Sequence, residues 1–241
     1  MPDALFEDPR LVALYDVLEG ERADLPPYLA LVEELGAGSV LDLGCGTGEL
    51  AVRLAAQGLT VIGVDPAAAS LEVARAKPAA PSVRWIDGDA RALVGLEPVD
   101  LVTITGNAAQ AIIEPAEWHL ALRNIRDVLA PGGHLVFETR DPSRRAWTEW
   151  NREQSFLEVQ VDGVGRVEHW VEVLEVDGPL VTFRGTYVFA SDGTVLTSQS
   201  TLRFRGYDEI AGDLARAGLQ VQEVREAPDR PGQEWVFVAT R

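Results

Sequence analysis

The sequence predicts an α/β protein: a mostly parallel sheet with helices on both faces, interrupted late in the chain by an antiparallel β insertion. Three observations predict it. Between Ser39 and Thr139, short apolar runs alternate with amphipathic stretches over short connections, as in a parallel sheet covered on both faces. After about Trp150 the helical period stops, and strand-like runs follow one another with turn signals between them. From Tyr207 a helix and two strands return, so the late strands interrupt one core and do not found a second.

Each element follows from its residues. Pro9 to Leu35 reads as two helices broken at Pro26-Pro27. Ser39 to Leu43 is a buried strand. Glu49 to Gln57 carries Leu50, Val52, Leu54 and Ala55 in a helical pattern that Gly58 ends. Thr60 to Val64 is the second strand. Pro66 opens a helix over Ala67 to Lys77, and Pro78 and Pro81 stop it. Val83 to Ile86 and Asp100 to Thr105 are the third and fourth strands. Pro115 to Leu129 is helical, Ala130-Pro131-Gly132-Gly133 is a turn, and His134 to Thr139 is the fifth strand. In the insertion, Phe156–Val161, Arg166–Val176, Leu180–Ala190 and Val195–Phe204 read as a meander. Its turns are Asp162-Gly163, Asp177-Gly178-Pro179 and Ser191-Asp192-Gly193. Tyr207 to Ala217 is a helix ended at Gly218, and Leu219–Val224 and Glu234–Ala239 are the last strands.

Composition narrows the function. With 241 residues, 46% apolar and 24% charged, the chain can bury a full core without disulfides or metal. Its one cysteine, Cys45, cannot form an intrachain disulfide, and a reducing compartment is expected. No apolar run is long enough to span a bilayer. The acidic start, Met1 to Asp8, lacks the layout of a secretion signal, so the expected location is cytoplasmic. A net charge of −17 repels phosphate backbones and anionic membranes, and the one near-cluster of cations is Arg140, Arg144 and Arg145. The expected partner is a small molecule, with no nucleic acid and no membrane. No His, Cys and Asp spacing suits a metal. An edge of the inserted sheet offers a surface for homodimer pairing.

The chemistry centres on Val40-Leu41-Asp42-Leu43-Gly44-Cys45-Gly46-Thr47-Gly48, a strand entering a glycine turn before a helix. Glycine permits positive φ and lets a ligand approach backbone N–H groups at the carboxyl end of the strand. Gly46-Thr47-Gly48-Glu49-Leu50-Ala51 also fits the dinucleotide pattern G-x-G-x-x-A, which keeps an NAD(P)-dependent oxidoreductase or epimerase open. Two features oppose it. Asp42 would repel a pyrophosphate but suits an ammonium and a sulfonium. Asp65 and Asp89 then end the second and third strands, placed to accept bonds from ribose hydroxyls and from an adenine amino group. The Tyr-x-x-x-Lys pair of many such oxidoreductases is also missing.

Asp42 to Gly48, Asp65, Gly88-Asp89-Ala90 and Leu129-Ala130-Pro131-Gly132-Gly133 together resemble the class I S-adenosylmethionine-dependent methyltransferases. The resemblance is firm from Val40 to about Thr139 and looser beyond. It implies a Rossmann-like seven-stranded sheet in the order 3-2-1-4-5-7-6. The insertion resembles the small-molecule branch, amino-sugar N-methyltransferases included. The expected organisation is a single domain over 1–241. Within it lie N-terminal helices over 1–38, a cofactor-binding core over 39–141 and a β insertion over 151–205 acting as substrate wall or lid. A returning helix and hairpin complete it over 206–241. By resemblance, Asp42 approaches the methionine ammonium, and Gly44, Cys45, Gly46 and Gly48 form the turn the amino-acid moiety passes. Asp65, with Pro66 behind it, holds the ribose. Asp89 and the Ala90 N–H read adenine. Thr105, Gly106 and Asn107 line the methyl-transfer zone. The implied cofactor is S-adenosylmethionine, with S-adenosylhomocysteine as product.

No catalytic residue stands out, which suits an in-line displacement driven by orientation and a dry site. The candidates are Glu138, Arg140 and Asp141 at the end of the fifth strand, and His169 in the insertion. Arg140 can clamp a carboxylate or phosphate, and Glu138 or Asp141 can accept a proton; an ion pair that only fixes the loop stands equally open. Trp147, Trp150, Phe156, Trp170 and Phe204 offer apolar surface to an acceptor, N or O. A cofactor-binding protein without catalysis is the remaining alternative.

Overall fold

Alternating apolar positions build a sheet that buries both of its faces. The computed structural model describes residues 2–20 and 22–241. Its helices are α1 (Ala4–Glu7), α2 (Pro9–Glu19), α3 (Leu25–Glu34), α4 (Glu49–Ala56), α5 (Ala68–Ala76), α6 (Pro115–Val128), α7 (Arg152–Ser155) and α8 (Tyr207–Ala217). Its strands are β1 (Ser39–Leu43), β2 (Thr60–Asp65), β3 (Val83–Asp87), β4 (Val99–Ile104), β5 (Leu129–Arg140), β6 (Leu157–Val161), β7 (Gly165–Asp177), β8 (Leu180–Phe189), β9 (Val195–Arg203), β10 (Gln220–Glu226) and β11 (Glu234–Thr240). The main sheet runs β3-β2-β1-β4-β5-β11-β10, with β11 antiparallel to β5. Counted within that sheet, this is the order 3-2-1-4-5-7-6. The other four strands form a separate antiparallel sheet, β6-β7-β8-β9.

Neighbouring residues on one strand serve opposite layers. Leu41, Val102, Leu135 and Phe137 face α6 and α8, where Trp118, Leu122, Ile125, Ile210 and Leu214 complete the core. Val40, Leu101, Val136 and Val236 face the other way, against Tyr28 and Leu31 of α3 and Leu50 and Leu54 of α4. A third core joins α2 to the inserted sheet: Leu11 and Leu14 pack on Val161, Val167, Tyr187 and Phe189. The Leu5 N–H donates to Ser198 Oγ and the Arg10 guanidinium lies 3.9 Å over the Phe189 ring, so the first two helices strap the inserted sheet to the core.

The structure corrects two expectations. The N-terminal helices break at Gly20, whose φ is +61, and not at Pro26-Pro27. The prolines lie in the first turn of α3, where a missing N–H costs nothing. The Pro-Gly-Gly segment is no separate turn. β5 begins at Leu129 opposite Val99 and bulges, so that the next pair is Leu101 with His134. Between β5 and β6 the chain makes two short 3₁₀ turns (Pro142–Arg144 and Ala146–Glu149) that the sequence pattern did not show.

Candidate active site

On the face toward α3 and α4, the strands are apolar halfway and polar at their tips. Val40 is followed on that face by Asp42, Leu101 by Thr103, Val136 by Glu138, and Val236 is preceded by Glu234. All four polar residues are buried. Thr103 Oγ1 donates to Asp42 Oδ1 at 2.9 Å, yet burial pushes the Asp42 carboxyl up to about 6, with Asp65 adding to the rise. A carboxylate so placed calls for a cation.

The glycine turn lies over these tips. Gly44, Gly46 and Gly48 have φ of +77, +52 and +77, which explains glycine at all three. A Cβ on Gly44 would meet the Ala108 Cβ at 2.9 Å, so the turns after β1 and β4 touch, whereas Gly46 faces open space. Asp65 at the tip of β2 braces the turn: Oδ2 accepts from Gly46 N at 2.7 Å and Oδ1 from Ala67 N at 2.8 Å, across Pro66. Burial raises the Asp65 carboxyl above its ordinary range against those two bonds. Burial, with Asp42 and Asp65 nearby, pushes the Cys45 thiol well up, so it stays protonated and is no nucleophile. From above, Asp16 of α2 accepts from Thr47 Oγ1 at 2.5 Å and pairs with Lys77 Nζ at 2.6 Å.

Asp89 lies apart from this buried pair. Its side chain is about half exposed, caps the Ala90–Leu93 turn through Arg91 N, and pairs with the Arg91 guanidinium. Ala90 is buried at the start of that turn.

At the tip of β4, Thr105 leads into Gly106 and Asn107, both left-handed at φ +64 and +59. Asn107 N donates to Glu138 Oε1 at 3.0 Å and Asn107 Nδ2 to Glu234 Oε2 at 3.0 Å. Glu138 Oε2 takes the Tyr28 hydroxyl, and Glu234 Oε1 takes Arg230 at 2.7 Å with Arg140 at 3.5 Å. Burial raises the Glu138 carboxyl. Arg140 also donates to Gln110 at 3.0 Å and lies 5.5 Å from the Trp150 ring. Asn107 Oδ1 is buried and has no partner. Asp141 turns away from this group and caps the following turn through Ser143 N.

His169 is half-buried on the inserted sheet, stacked 4.4 Å from Tyr187 with Nδ1 3.2 Å from the Thr186 carbonyl. That contact places the proton on Nδ1 and leaves Nε2 free to accept; burial lowers the ring's pKa, favouring this neutral form. Trp147 and Trp150 pack on Phe204, while Phe156 and Trp170 stack elsewhere on the insertion beneath Arg152.

Sequence reasoning missed Tyr28 as a partner of Glu138, and Glu234 and Asp16 altogether. Glu234 carried a signal: it is the one charged residue in β11, in register with Val236 and Val238 on a buried face. Asp16 carried none, since its partner Thr47 lies 31 residues away. Among the described residues no group of three or more His, Cys, Asp or Glu is arranged to hold a metal ion.

These features fit a cationic nucleoside: buried carboxylates at two adjacent tips, an open glycine turn between them, and an orphaned acceptor beside it. Residues 40–133 match the family model described as a methyltransferase domain. The cypemycin N-terminal methyltransferase of a Streptomyces species is 32% identical over 146 residues, covering 59% of this chain and 60% of that protein. The chain spans about two fifths to three fifths of the curated relatives it matches. Among solved structures, the CcbJ methyltransferase of Streptomyces caelestis superposes with a TM-score of 0.80 at 22% identity, covering 97% of this chain and 96% of that one. The sugar N-methyltransferase KedS8 of a Streptoalloteichus species gives 0.76 at 22% identity, covering 94% and 92%. At these identities the likeness is one of fold. Residues 40–133 thus match a methyltransferase domain, and nearly the whole chain shares the fold of solved S-adenosylmethionine-dependent methyltransferases.

Proposed function

We propose that the protein is an S-adenosylmethionine-dependent methyltransferase acting on a small-molecule acceptor at nitrogen or oxygen. The observation that carries this reading is Asp42: a fully buried carboxyl, pushed up to about 6, beside a glycine turn held open by Asp65. The cofactor, when bound, supplies an electrophilic methyl group on a sulfonium. Asp42 faces its ammonium, and the Gly44–Gly48 turn lets its amino-acid moiety pass. Asp65 accepts from the ribose hydroxyls, and Asp89 with the Ala90 N–H reads the base. Thr105, Gly106 and Asn107 border the reacting end. The inserted sheet, hung from Arg140 and strapped by α2, forms the wall that excludes water and receives the acceptor. The relatives support the acceptor class: by their names one is a cypemycin N-terminal methyltransferase and one a sugar N-methyltransferase.

Calorimetric titration with S-adenosylhomocysteine tests the reading. The intact protein is expected to bind it. Asp65→Ala, which removes the carboxylate from ribose and turn together, weakens binding by at least about a hundredfold, since each bond to a charged group is worth about 1.5–3 kcal/mol. Failure of the intact protein to bind ends the proposal.

A further inference from the structure

We propose that Asn107 binds the methyl acceptor, and that the acceptor is a primary or secondary amine. This rests on the methyltransferase reading and adds the substrate class to it.

The case starts from the cost of the arrangement. Asn107 is a non-glycine residue in the left-handed region, at φ +59, and is 5% exposed. Two carboxylates hold it there. Its backbone N–H is tied to Glu138 and its Nδ2 to Glu234, and those carboxylates are in turn fixed by Tyr28, Arg230 and Arg140. The amide cannot be turned over, because only the NH₂ end can face a carboxylate. Oδ1 is therefore fixed on the other side, buried and unpartnered. A buried acceptor without a donor is unfavourable, and a ligand that brings an N–H or O–H relieves it. Ala108, the next residue, lies against Gly44, so Asn107 stands at the tip of β4 where the turns after β1 and β4 meet.

The choice of amine over alcohol follows from the proton. Methylation of an alcohol leaves a cationic oxonium unless a base in contact takes the proton. The carboxylates nearest Asn107 lie on its N–H groups, Glu138 at the backbone N–H and Glu234 at Nδ2, away from Oδ1 and from a donor held there, and an amide oxygen is no base. An amine needs none at the moment of transfer. Its lone pair forms the C–N bond while the C–S bond breaks, the electrons of that bond stay on sulfur, and positive charge passes to nitrogen. The surplus proton leaves to solvent afterwards. Throughout, the N–H remains a donor and becomes a stronger one as charge grows, so a fixed carbonyl oxygen holds the transition state better than the ground state.

The test titrates the complex with S-adenosylhomocysteine by calorimetry. Glucosamine, ethanolamine and glycylglycine are the amine probes, and glucose, ethylene glycol and N-acetylglucosamine their matched controls. An amine probe is expected to bind and its control not. Asn107→Gly, which keeps the left-handed turn accessible, weakens the amine by at least about tenfold. Its affinity for S-adenosylhomocysteine stays within about threefold. If melting shows Asn107→Gly unfolded, Asn107→Ala takes its place. The proposal is overturned if no amine probe binds while S-adenosylhomocysteine does, or if the variant binds amine as the parent does. It is overturned equally if the variant loses S-adenosylhomocysteine, which assigns Oδ1 to the cofactor's own ammonium. Loss of S-adenosylhomocysteine binding by the parent protein is a different failure, that of the methyltransferase reading beneath it.

Discussion

Replacing Asp42 by Asn should make the protein more stable and less able to bind its cofactor. The side chain is 1% exposed, and burial lifts its carboxyl from the ordinary 3.8 to about 6. The folded state therefore holds that proton more tightly than the unfolded chain. The contribution is fully favourable below the unfolded value, near pH 4, and is lost as pH rises through about 6. Above that, the ionised carboxylate costs about 3 kcal/mol, from roughly two pH units at about 1.4 kcal/mol each. Asn has the same shape, and its Oδ1 can still accept from Thr103 Oγ1. Asp42→Asn is thus expected to gain about 3 kcal/mol at about pH 7.5 and about half of that at pH 5. In thermal terms the gain at the higher pH is about 6–12 °C. Urea unfolding at the two pH values measures it. Calorimetry supplies the second arm: S-adenosylhomocysteine binding to the parent near pH 6 should release a proton, seen as a buffer-dependent heat, and the variant should bind far more weakly. A gain that is absent at pH 7.5, or that does not change with pH, refutes the assignment of strain to this carboxylate.

The glycine turn supports a paired prediction. A Cβ on Gly48 would lie 2.4 Å from the Trp85 ring and 2.9 Å from the Ala74 Cβ, at φ +77, so Gly48→Ala should lose at least about 2–3 kcal/mol in urea unfolding. Gly46→Ala meets no protein atom; it should lose only about 1–2 kcal/mol, the left-handed cost, yet bind S-adenosylhomocysteine much more weakly because the methyl enters the ligand's space. Asp16 pairs with Lys77 at a half-exposed position while bonding Thr47, so Asp16→Ala should cost no more than about 1 kcal/mol of stability. The same variant should speed dissociation of S-adenosylhomocysteine by freeing α2, read by stopped-flow tryptophan fluorescence.

How much of this was legible in the sequence depended on whether the signal was local. The β1 turn, Asp65 and the helix ends were legible because glycine, proline and period-two burial act within a few residues. The break at Gly20 was misread since proline both stops helices and starts them, and only the tertiary position of Leu25, fully buried against the sheet, selects the second role. The bulge at Pro131-Gly132-Gly133 was hidden because strand pairing, not local preference, carries β5 through it. The Tyr28–Glu138–Asn107–Glu234 network joins residues up to 127 positions apart, and no local pattern encodes such a contact.

Strand direction explains why that network forms where it does. A parallel strand beside β5 would bring its carboxyl end to the site; β11 runs the other way and brings its first residue, Glu234, opposite Arg140. The chain leaves β5 at Arg140 to build the inserted sheet and, after α8 and β10, begins β11 next to the same point, where Asp141 N bonds the Gln233 carbonyl. The insertion is therefore rooted at the strand tips, with α2 clasping its far side through Leu11 and Leu14. β5 thus supplies the exit to the inserted sheet, and its antiparallel neighbour β11 supplies the carboxylate that fixes Asn107. Lengthening the insertion's loops leaves this relation intact, whereas shifting β11 by one residue turns Glu234 to the opposite face and frees the Asn107 amide.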